Sequence, residues 1–266
     1  MLLQVQQLNV AYPVRGAAPF RAVRDISFEV DAGESFGIVG ESGCGKTSLA
    51  KAIMGLHPPS SGRILFEGQE VSQLAGAAFK GYRRAVQMIF QDAVGSLNPR
   101  QTVLQMLEEV LRVHRMRPED AIRSRVDELL DRVGLPGTVL QAYPRELSGG
   151  QCQRISIARC LALEPRLIIA DEPVSALDVS VQARILNLIR SLQRELNLAV
   201  LLISHDLAVV RNICDRVCVM FQGEAVEQGR AIEVMDHPQH AYTRTLLAAV
   251  PDVGRALNVD RAIGSK

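Results

Sequence analysis

A glycine-rich stretch with one lysine and one threonine, GESGCGKT at residues 40–47, has the residue types and spacing of a phosphate-binding loop. A short apolar run precedes it, and residues 48–54 continue as a helical pattern. Glycines let successive backbone N–H groups face a phosphate, and the helix N-terminus adds partial positive charge. We therefore predict that Lys46 reaches the β- and γ-phosphates of a nucleotide and that the Thr47 hydroxyl ligates Mg²⁺.

Two acids follow the apolar residues 167–170, where a buried strand is expected to end. Asp171 at that position can hold Mg²⁺ through water, and Glu172 can orient or deprotonate an attacking water. Acids at strand ends also commonly cap the next element, which is the structural alternative. Beside a phosphate loop, the catalytic interpretation is favoured.

The segment LSGGQ at residues 147–151 is an unusual start for a helix. Each glycine costs roughly 1 kcal/mol in a helix relative to alanine, whereas the pattern from Arg154 onward is clearly helical. In one interpretation Ser148 is an ordinary N-cap and the glycines finish a tight turn. In the other, the helix end is kept bare so that its N–H groups point at an anion.

The composition restricts the class of protein. The 266 residues carry a formal net charge of +1, which gives no case for binding nucleic acid or anionic lipid. The longest apolar stretches, such as 198–204, are too short to span a bilayer, and the N-terminus lacks a signal-peptide pattern. The five cysteines form no CxxC pair, so neither a disulfide framework nor a zinc site is expected, and we predict a reduced, cytosolic protein.

Hydrophobic patterns predict an α/β fold around these motifs. The chain up to about residue 71 is typical of strands, whereas residues 99–144 favour helices, with Pro118 at a first helical position. Beyond them, two short buried strands flank a helix over 179–196, an alternation that favours parallel pairing. Two further short strands and a C-terminal helical segment follow.

The order of the motifs resembles that of the ATP-binding subunits of ABC transporters over essentially the whole chain. Besides the segments above, Gln91 follows the apolar run VQMIF, SALD occupies 175–178, and His205 follows LLIS. The resemblance implies one ABC ATP-binding domain, 1–266, that hydrolyses ATP. It implies a P-loop NTPase fold with a parallel-sheet core, an N-terminal antiparallel β-subdomain, a helical signature subdomain at about 99–145 and a C-terminal extension at about 230–266.

The resemblance also implies a role for each candidate residue. Lys46, Glu172 and His205 are the catalytic residues, and His205 contacts the γ-phosphate and positions the water of Glu172. Thr47, Gln91 and Asp171 hold Mg²⁺, Gln91 senses the membrane partner, and Asp178 communicates across a dimer. Tyr12 stacks on adenine, unless it is simply a strand-edge tyrosine. The ATP-binding set is Tyr12, Gly40, Glu41, Ser42, Gly43, Cys44, Gly45, Lys46, Thr47, Ser48 and Gln91, and no chemistry is assigned to the Cys44 thiol.

For LSGGQ the resemblance favours the bare helix end. Ser148, Gly149, Gly150 and Gln151 would close over ATP held by a second subunit, so that two chains clamp two ATP molecules head to tail. The implied partners are that second ATPase subunit, identical or paralogous, two integral membrane permeases and, indirectly, an extracytoplasmic solute-binding protein. The chain would then be a peripheral protein at the cytoplasmic face of the inner membrane, without a nucleic-acid partner.

Residues 87–100 and 237–251 narrow the resemblance to the oligopeptide, dipeptide and nickel importer group. Ala93 and Ala241 stand where proline is usual in that group. Because no cysteine follows Cys218, no iron–sulfur cluster is expected, and the two histidines of HPQH at 237–240 are interpreted as a turn before a helix rather than a metal site. The leading interpretation is the ATPase subunit of an importer for peptides or a related small solute.

Two other functional classes are weaker. A soluble ABC ATPase of translation or DNA repair usually has two fused domains or a long inserted coiled coil, and this chain shows neither. A binding module without hydrolysis is disfavoured by the intact set Lys46, Asp171, Glu172 and His205.

Overall fold

Two β-sheets organise the computed structural model, which describes residues 1–16 and 18–249. The strands are β1 (Leu3–Tyr12), β2 (Phe20–Val30), β3 (Ser35–Val39), β4 (Ser61–Phe66), β5 (Gln69–Glu70), β6 (Val86–Ile89), β7 (Leu167–Asp171), β8 (Ala199–Ser204), β9 (Arg216–Phe221) and β10 (Glu224–Arg230). The helices are α1 (Lys46–Ile53), α2 (Gly76–Ala85), α3 (Ala93–Ser96), α4 (Val103–Val113), α5 (Glu119–Arg132), α6 (Gly149–Leu161), α7 (Val179–Leu196), α8 (Leu207–Ile213), α9 (Ala231–Asp236) and α10 (Ala241–Ala248).

The first sheet is antiparallel and has the strand order β2-β1-β4-β5. The second has the order β10-β9-β3-β8-β7-β6, with parallel pairing from β9 to β6 and with β10 antiparallel to β9. The predicted parallel core and N-terminal antiparallel β-subdomain are therefore confirmed.

The parallel sheet is buried on both faces, which explains its uninterrupted apolar runs. In β8, Leu201 and Ile203 face a core shared with the antiparallel sheet, whereas Val200 and Leu202 face a core shared with the helices. Helix α1 packs in the first of these cores through Leu49 and other buried residues. The segment before α1 is thus held where the two sheets meet.

Helices α3 to α6 lie between β6 and β7, and the range 99–145 contains α4 and α5. Leu107 and Leu111 on α4 are fully buried, as the helical spacing predicts. Helix α5 begins one residue later than expected, because Pro118 is its N-cap with an extended ψ of 153° rather than its first helical residue. Glu119 and Asp120 do occupy the first turn, where acids favour the helix dipole.

Helix α6 begins at Gly149, directly after Ser148, which is its N-cap as one of the two interpretations has it. Ser148 and Gln151 form a reciprocal capping box that satisfies two backbone N–H groups at the start of the helix. Cys152 and Gln153, in the next positions, are buried. Capping and tertiary packing therefore override the low helix propensity of the two glycines.

The C-terminal part contains the predicted strands β9 and β10 and then α9 and α10. His240 caps α10 by accepting the N–H of Tyr242 at Nδ1, in agreement with the predicted turn before a helix. The proposed extension at 230–266 lies outside the described residues from 250 onward. Within 1–16 and 18–249, no helix combines the length and the apolar character that a bilayer crossing needs.

Candidate functional site

The phosphate-loop candidate connects β3 to α1 and lies against the ends of two other strands. A Cβ atom at Gly45, which has φ 108°, would lie 2.1 Å from the carbonyl oxygen of Ala22. A Cβ atom at Gly40 would lie 2.2 Å from the carbonyl oxygen of Met220. The N–H of Gly223 donates to the Cys44 carbonyl over 3.0 Å. The loop is therefore shaped by tertiary contacts that no larger side chain at Gly40 or Gly45 would permit.

Lys46 is buried within this loop, with 5% of its surface exposed. Its Nζ donates to the carbonyl oxygens of Gly40 and Glu41, each over 2.8 Å. An ammonium group has three donors, so its third N–H, which faces the weak acceptor Cys44 Sγ, can turn to a ligand. The lysine is thus oriented by backbone dipoles.

The Cys44 side chain lies beside this ammonium, with Sγ 3.8 Å from Nζ. Burial raises the pKa of its thiol, although Lys46 opposes the shift. A neutral, buried thiol is a poor nucleophile, in keeping with the absence of any assigned chemistry. All five cysteines of the chain are free and buried.

Asp171 ends β7 and is buried, with 6% of its surface exposed. Burial raises the pKa of its carboxyl above the ordinary value, and a hydrogen bond from the nearby Thr47 side chain opposes this rise. Hydroxyl and carboxylate oxygens are ligands that suit Mg²⁺. The described residues contain no cluster of three or more His, Cys, Asp or Glu that would hold a metal alone. Thr47 and Asp171 therefore fit a Mg²⁺ ion that is completed by phosphate oxygens and water.

Glu172 and His205 meet at the same edge of the sheet. The N–H of Glu172 donates to the carbonyl of Ile203 over 2.9 Å, and its Oε1 lies 3.2 Å from Nδ1 of His205. Glu172 has a left-handed φ of 47°, a conformation that costs on the order of 1 kcal/mol for a residue with a side chain. The Glu172 side chain is 18% exposed and that of His205 is 59% exposed. The pair can therefore accept a proton and hold a water molecule.

Tyr12 lies near the loop, and Gln91 lies at the edge of the parallel sheet. The Tyr12 hydroxyl donates to Oγ of Ser48 over 3.3 Å, which links β1 to α1. His57 stacks on the Tyr12 ring with a centroid distance of 4.5 Å, so a base can stack only on the opposite face. Gln91 is exposed two residues beyond β6, which pairs in parallel with β7. It therefore follows the strand end next to the one that carries Asp171.

The signature segment, defined as residues 148–151, packs against the start of α7. A Cβ atom at Gly149 would lie 3.1 Å from Leu177, and one at Gly150 would lie 2.6 Å from Val181. Asp178 precedes α7, is exposed and makes no cap hydrogen bond with its side chain. Among the described residues no hydrogen bond joins the signature segment to residues 40–47. The structure thus brings together the loop, Asp171, Glu172 and His205, and leaves the signature segment apart.

Sequence reasoning did not anticipate one residue at the loop. The Tyr242 hydroxyl accepts the N–H of Glu41 over 3.1 Å, across 201 positions of the chain. The residues around Tyr242 resemble those of the importer group, but nothing in their pattern indicates contact with a phosphate loop.

Comparisons of the sequence and of the fold with known proteins all find ABC transporter proteins or ATP-binding cassettes. Residues 23–175 match the family model described as ABC transporter. The chain is 46% identical over 260 residues to the oligopeptide transport ATP-binding protein OppF of Haemophilus influenzae, covering 94% of this chain and 78% of that protein. It is 45% identical over 267 residues to AppF of Bacillus subtilis, another oligopeptide transport ATP-binding protein, covering 98% and 81%. A dimeric ATP-binding cassette bound to ADP and Pi, MJ0796, superimposes with a TM-score of 0.77 at 27% identity, covering 86% of this chain and 99% of that one.

Asp171→Asn tests the electrostatic cost of this site. Because the pKa of Asp171 is raised in the folded chain, this carboxyl binds a proton more readily there than in the unfolded chain. The free energy of unfolding therefore falls as the pH rises from the ordinary carboxyl pKa through the raised one. The neutral amide removes this cost. Without ligands, the variant should have an equal or higher Tm at pH 7 by calorimetry, yet lose the extra rise in Tm that Mg²⁺ gives together with ATP. The exposed Asp131→Asn on α5 serves as control, and a lower ligand-free Tm for Asp171→Asn alone would contradict the assignment.

Proposed function

Because this chain belongs to the ABC transporter family, whose ATP-binding subunits hydrolyse ATP, we propose that it energises an importer for peptides or a related small solute as a head-to-tail dimer. The observation that carries the proposal is the convergence of the Lys46 loop, Asp171 and the Glu172–His205 pair at one edge of the parallel sheet. The kinship with oligopeptide transport subunits supports the class of solute.

In the proposed reaction, the loop N–H groups and Lys46 bind the phosphates of ATP. Lys46 approaches with its third N–H, which leaves the weak acceptor Cys44 Sγ, while its other two protons stay on the Gly40 and Glu41 carbonyls. Glu172 takes the proton from the water that attacks the γ-phosphorus, and the bond to the β–γ bridging oxygen breaks to give ADP and phosphate. His205, whose Nδ1 lies 3.2 Å from the Glu172 carboxylate, holds this carboxylate and the water in line. When bound, Mg²⁺ neutralises phosphate charge, and Thr47, Asp171 and Gln91 would hold it.

The signature segment completes the site of a second subunit in this proposal. The N–H groups of Gly149 and Gly150 lie in the first turn of α6, where no intrahelical acceptor exists. Ser148 Oγ accepts the Gln151 N–H, which leaves its hydroxyl proton free to donate. Ser148 and Gly149 are exposed, so a γ-phosphate presented by a partner can reach them. Asp178, beside them at the start of α7, is placed to face the same partner.

A groove between α3 and α4 is the proposed docking site for a permease. It has a volume of about 660 Å³ and is lined by Leu97, Met106, Val110 and Val113, among others. The segment that begins at Gln91 runs directly into its wall, so a partner seated here would act on a residue of the nucleotide site. We propose that a cytoplasmic segment of an integral permease occupies this groove on each of the two subunits, so that the dimer binds two permeases. The chain would then lie at the cytoplasmic face of the membrane, and a solute-binding protein would contact the permeases.

Glu172→Gln should retain ATP binding and lower kcat at least about 100-fold, because the water loses its general base while Lys46 and Asp171 are unchanged. The variant should accumulate as an ATP-bound dimer, detected by size-exclusion chromatography with light scattering. Turnover close to that of the wild type would disprove the base role of Glu172.

Gly149→Asp tests whether the signature segment serves a partner subunit. An acid in the first turn of α6 favours the helix locally, and Leu177 can shift slightly to admit a Cβ atom, so folding should be retained. The carboxylate should repel the γ-phosphate, which abolishes dimerisation and hydrolysis while the monomer still binds ATP. Gly149→Asn separates bulk from charge.

Mixing Gly149→Asp chains with Lys46→Ala chains extends this test. Each variant alone has two damaged sites, whereas a mixed dimer has one intact site, so hydrolysis should recover to at most about a quarter of the wild-type rate. Loss of ATP binding by folded, monomeric Gly149→Asp would instead place the segment at its own loop and overturn the composite site.

Co-purification from detergent-solubilised membranes with two integral permeases tests the transport role. Val113 lines the groove and is 70% exposed, so Val113→Glu should weaken co-purification without unfolding the chain. Ile232→Glu, at a position 60% exposed on α9, is the matched control. Retention of full ATPase activity with no permease bound to the wild-type chain would favour a soluble ABC ATPase.

A further inference from the structure

The contact between Tyr242 and the phosphate loop has no part in the reaction described above. We propose that Tyr242 is a positioning residue, which holds the first peptide unit of the loop in the orientation that docks Lys46. This inference rests on the proposed function, since it assumes that Lys46 binds phosphate.

The geometry places Tyr242 and Lys46 at opposite ends of one peptide unit. The N–H of Glu41 donates to the Tyr242 hydroxyl over 3.1 Å. The carbonyl of the same unit, that of Gly40, accepts from Lys46 Nζ over 2.8 Å. A peptide unit is planar, so fixing its N–H also fixes the direction of its carbonyl. The tyrosine hydroxyl therefore determines where one of the two acceptors of Lys46 lies.

The Tyr242 ring is itself held in place by the strand that supports the loop. Its centroid lies 4.2 Å from that of Phe221 at the end of β9, with the two planes tilted by 33°. The preceding residue of that strand, Met220, is the one whose carbonyl blocks a side chain at Gly40. One strand end thus defines both the path of the loop and the position of the tyrosine.

The start of α10 is anchored by a carboxylate from β10. Glu227 accepts the N–H of Gln239 over 2.8 Å and that of His240 over 3.0 Å. Burial alone would raise the pKa of Glu227, but the hydrogen bonds that its carboxylate accepts, above all from the Gln239 N–H, hold this pKa below its ordinary value. The carboxylate is therefore charged at neutral pH. Glu227 and the His240 cap fix the turn that presents Tyr242.

The hydroxyl has the right protonation state for this task. Burial raises the pKa of Tyr242 above its ordinary value, although the bond from Glu41 opposes the rise. The group therefore stays neutral through the physiological range and offers oxygen lone pairs to the Glu41 N–H. A merely structural tyrosine would need its ring against Phe221 but not this hydroxyl.

Tyr242→Phe separates the two roles, because it removes the hydroxyl and keeps the ring. With the full chain, calorimetric titration of MgATP and MgADP should show affinities lowered about three- to tenfold, the range for one lost hydrogen bond. KM for ATP should rise to match, while kcat should change less than about twofold because Glu172 and His205 are untouched. Thr245→Val, which removes a hydroxyl that donates to the Ala241 carbonyl on the same helix, should leave both values unchanged.

The outcomes distinguish this inference from the function on which it rests. Folded Tyr242→Phe with wild-type nucleotide affinity and KM would overturn the positioning role, as would an equal loss in Thr245→Val. Lys46→Ala in the same titration must weaken binding more strongly than Tyr242→Phe. Unchanged affinity in Lys46→Ala would show that the loop assignment itself is wrong.

Discussion

The close approach of the loop backbone to two strand ends is the constraint on which the nucleotide site depends. Gly45 lies against the carbonyl of Ala22 in the antiparallel sheet, and Gly40 lies against that of Met220 in the parallel sheet. The two sheets therefore converge at the loop, and α1 fills the core between them. Because these contacts are made by the protein alone, the loop is organised before any ligand arrives, which reduces the ordering entropy lost on binding.

The charged residues of the site fit a ligand that brings both negative and positive charge. Lys46 is buried on carbonyl dipoles, and Asp171 is buried with a raised pKa. A buried charge without full compensation costs free energy. Phosphates supply negative charge to the first group, and a divalent cation supplies positive charge to the second. The ligand-free chain therefore carries an electrostatic cost that nucleotide binding relieves.

Local patterns predicted the parts of the structure that local residues determine. The loop at 40–47 is contiguous, and strands buried on both faces give apolar runs, so both were found from the sequence. The start of α6 is stabilised by a capping box and tertiary packing rather than by helix propensity, so propensity alone does not explain it. The left-handed Glu172 depends on its bond to Ile203 in β8, and the Tyr242 contact joins residues 201 positions apart. No pattern within one segment contains that information.

The packing of Gly150 against Val181 has a consequence for how the sequence can drift. Even in a descendant that no longer pairs or hydrolyses ATP, a side chain at position 150 would collide with α7, so selection for folding alone preserves this glycine. A Cβ atom at position 149 would meet the end of the flexible Leu177 side chain, and the part of Ser148 in folding is a local cap. Under relaxed selection, residues 148 and 149 would therefore be substituted first. A glycine retained at position 150 indicates that the fold is preserved, but it does not by itself indicate an active enzyme.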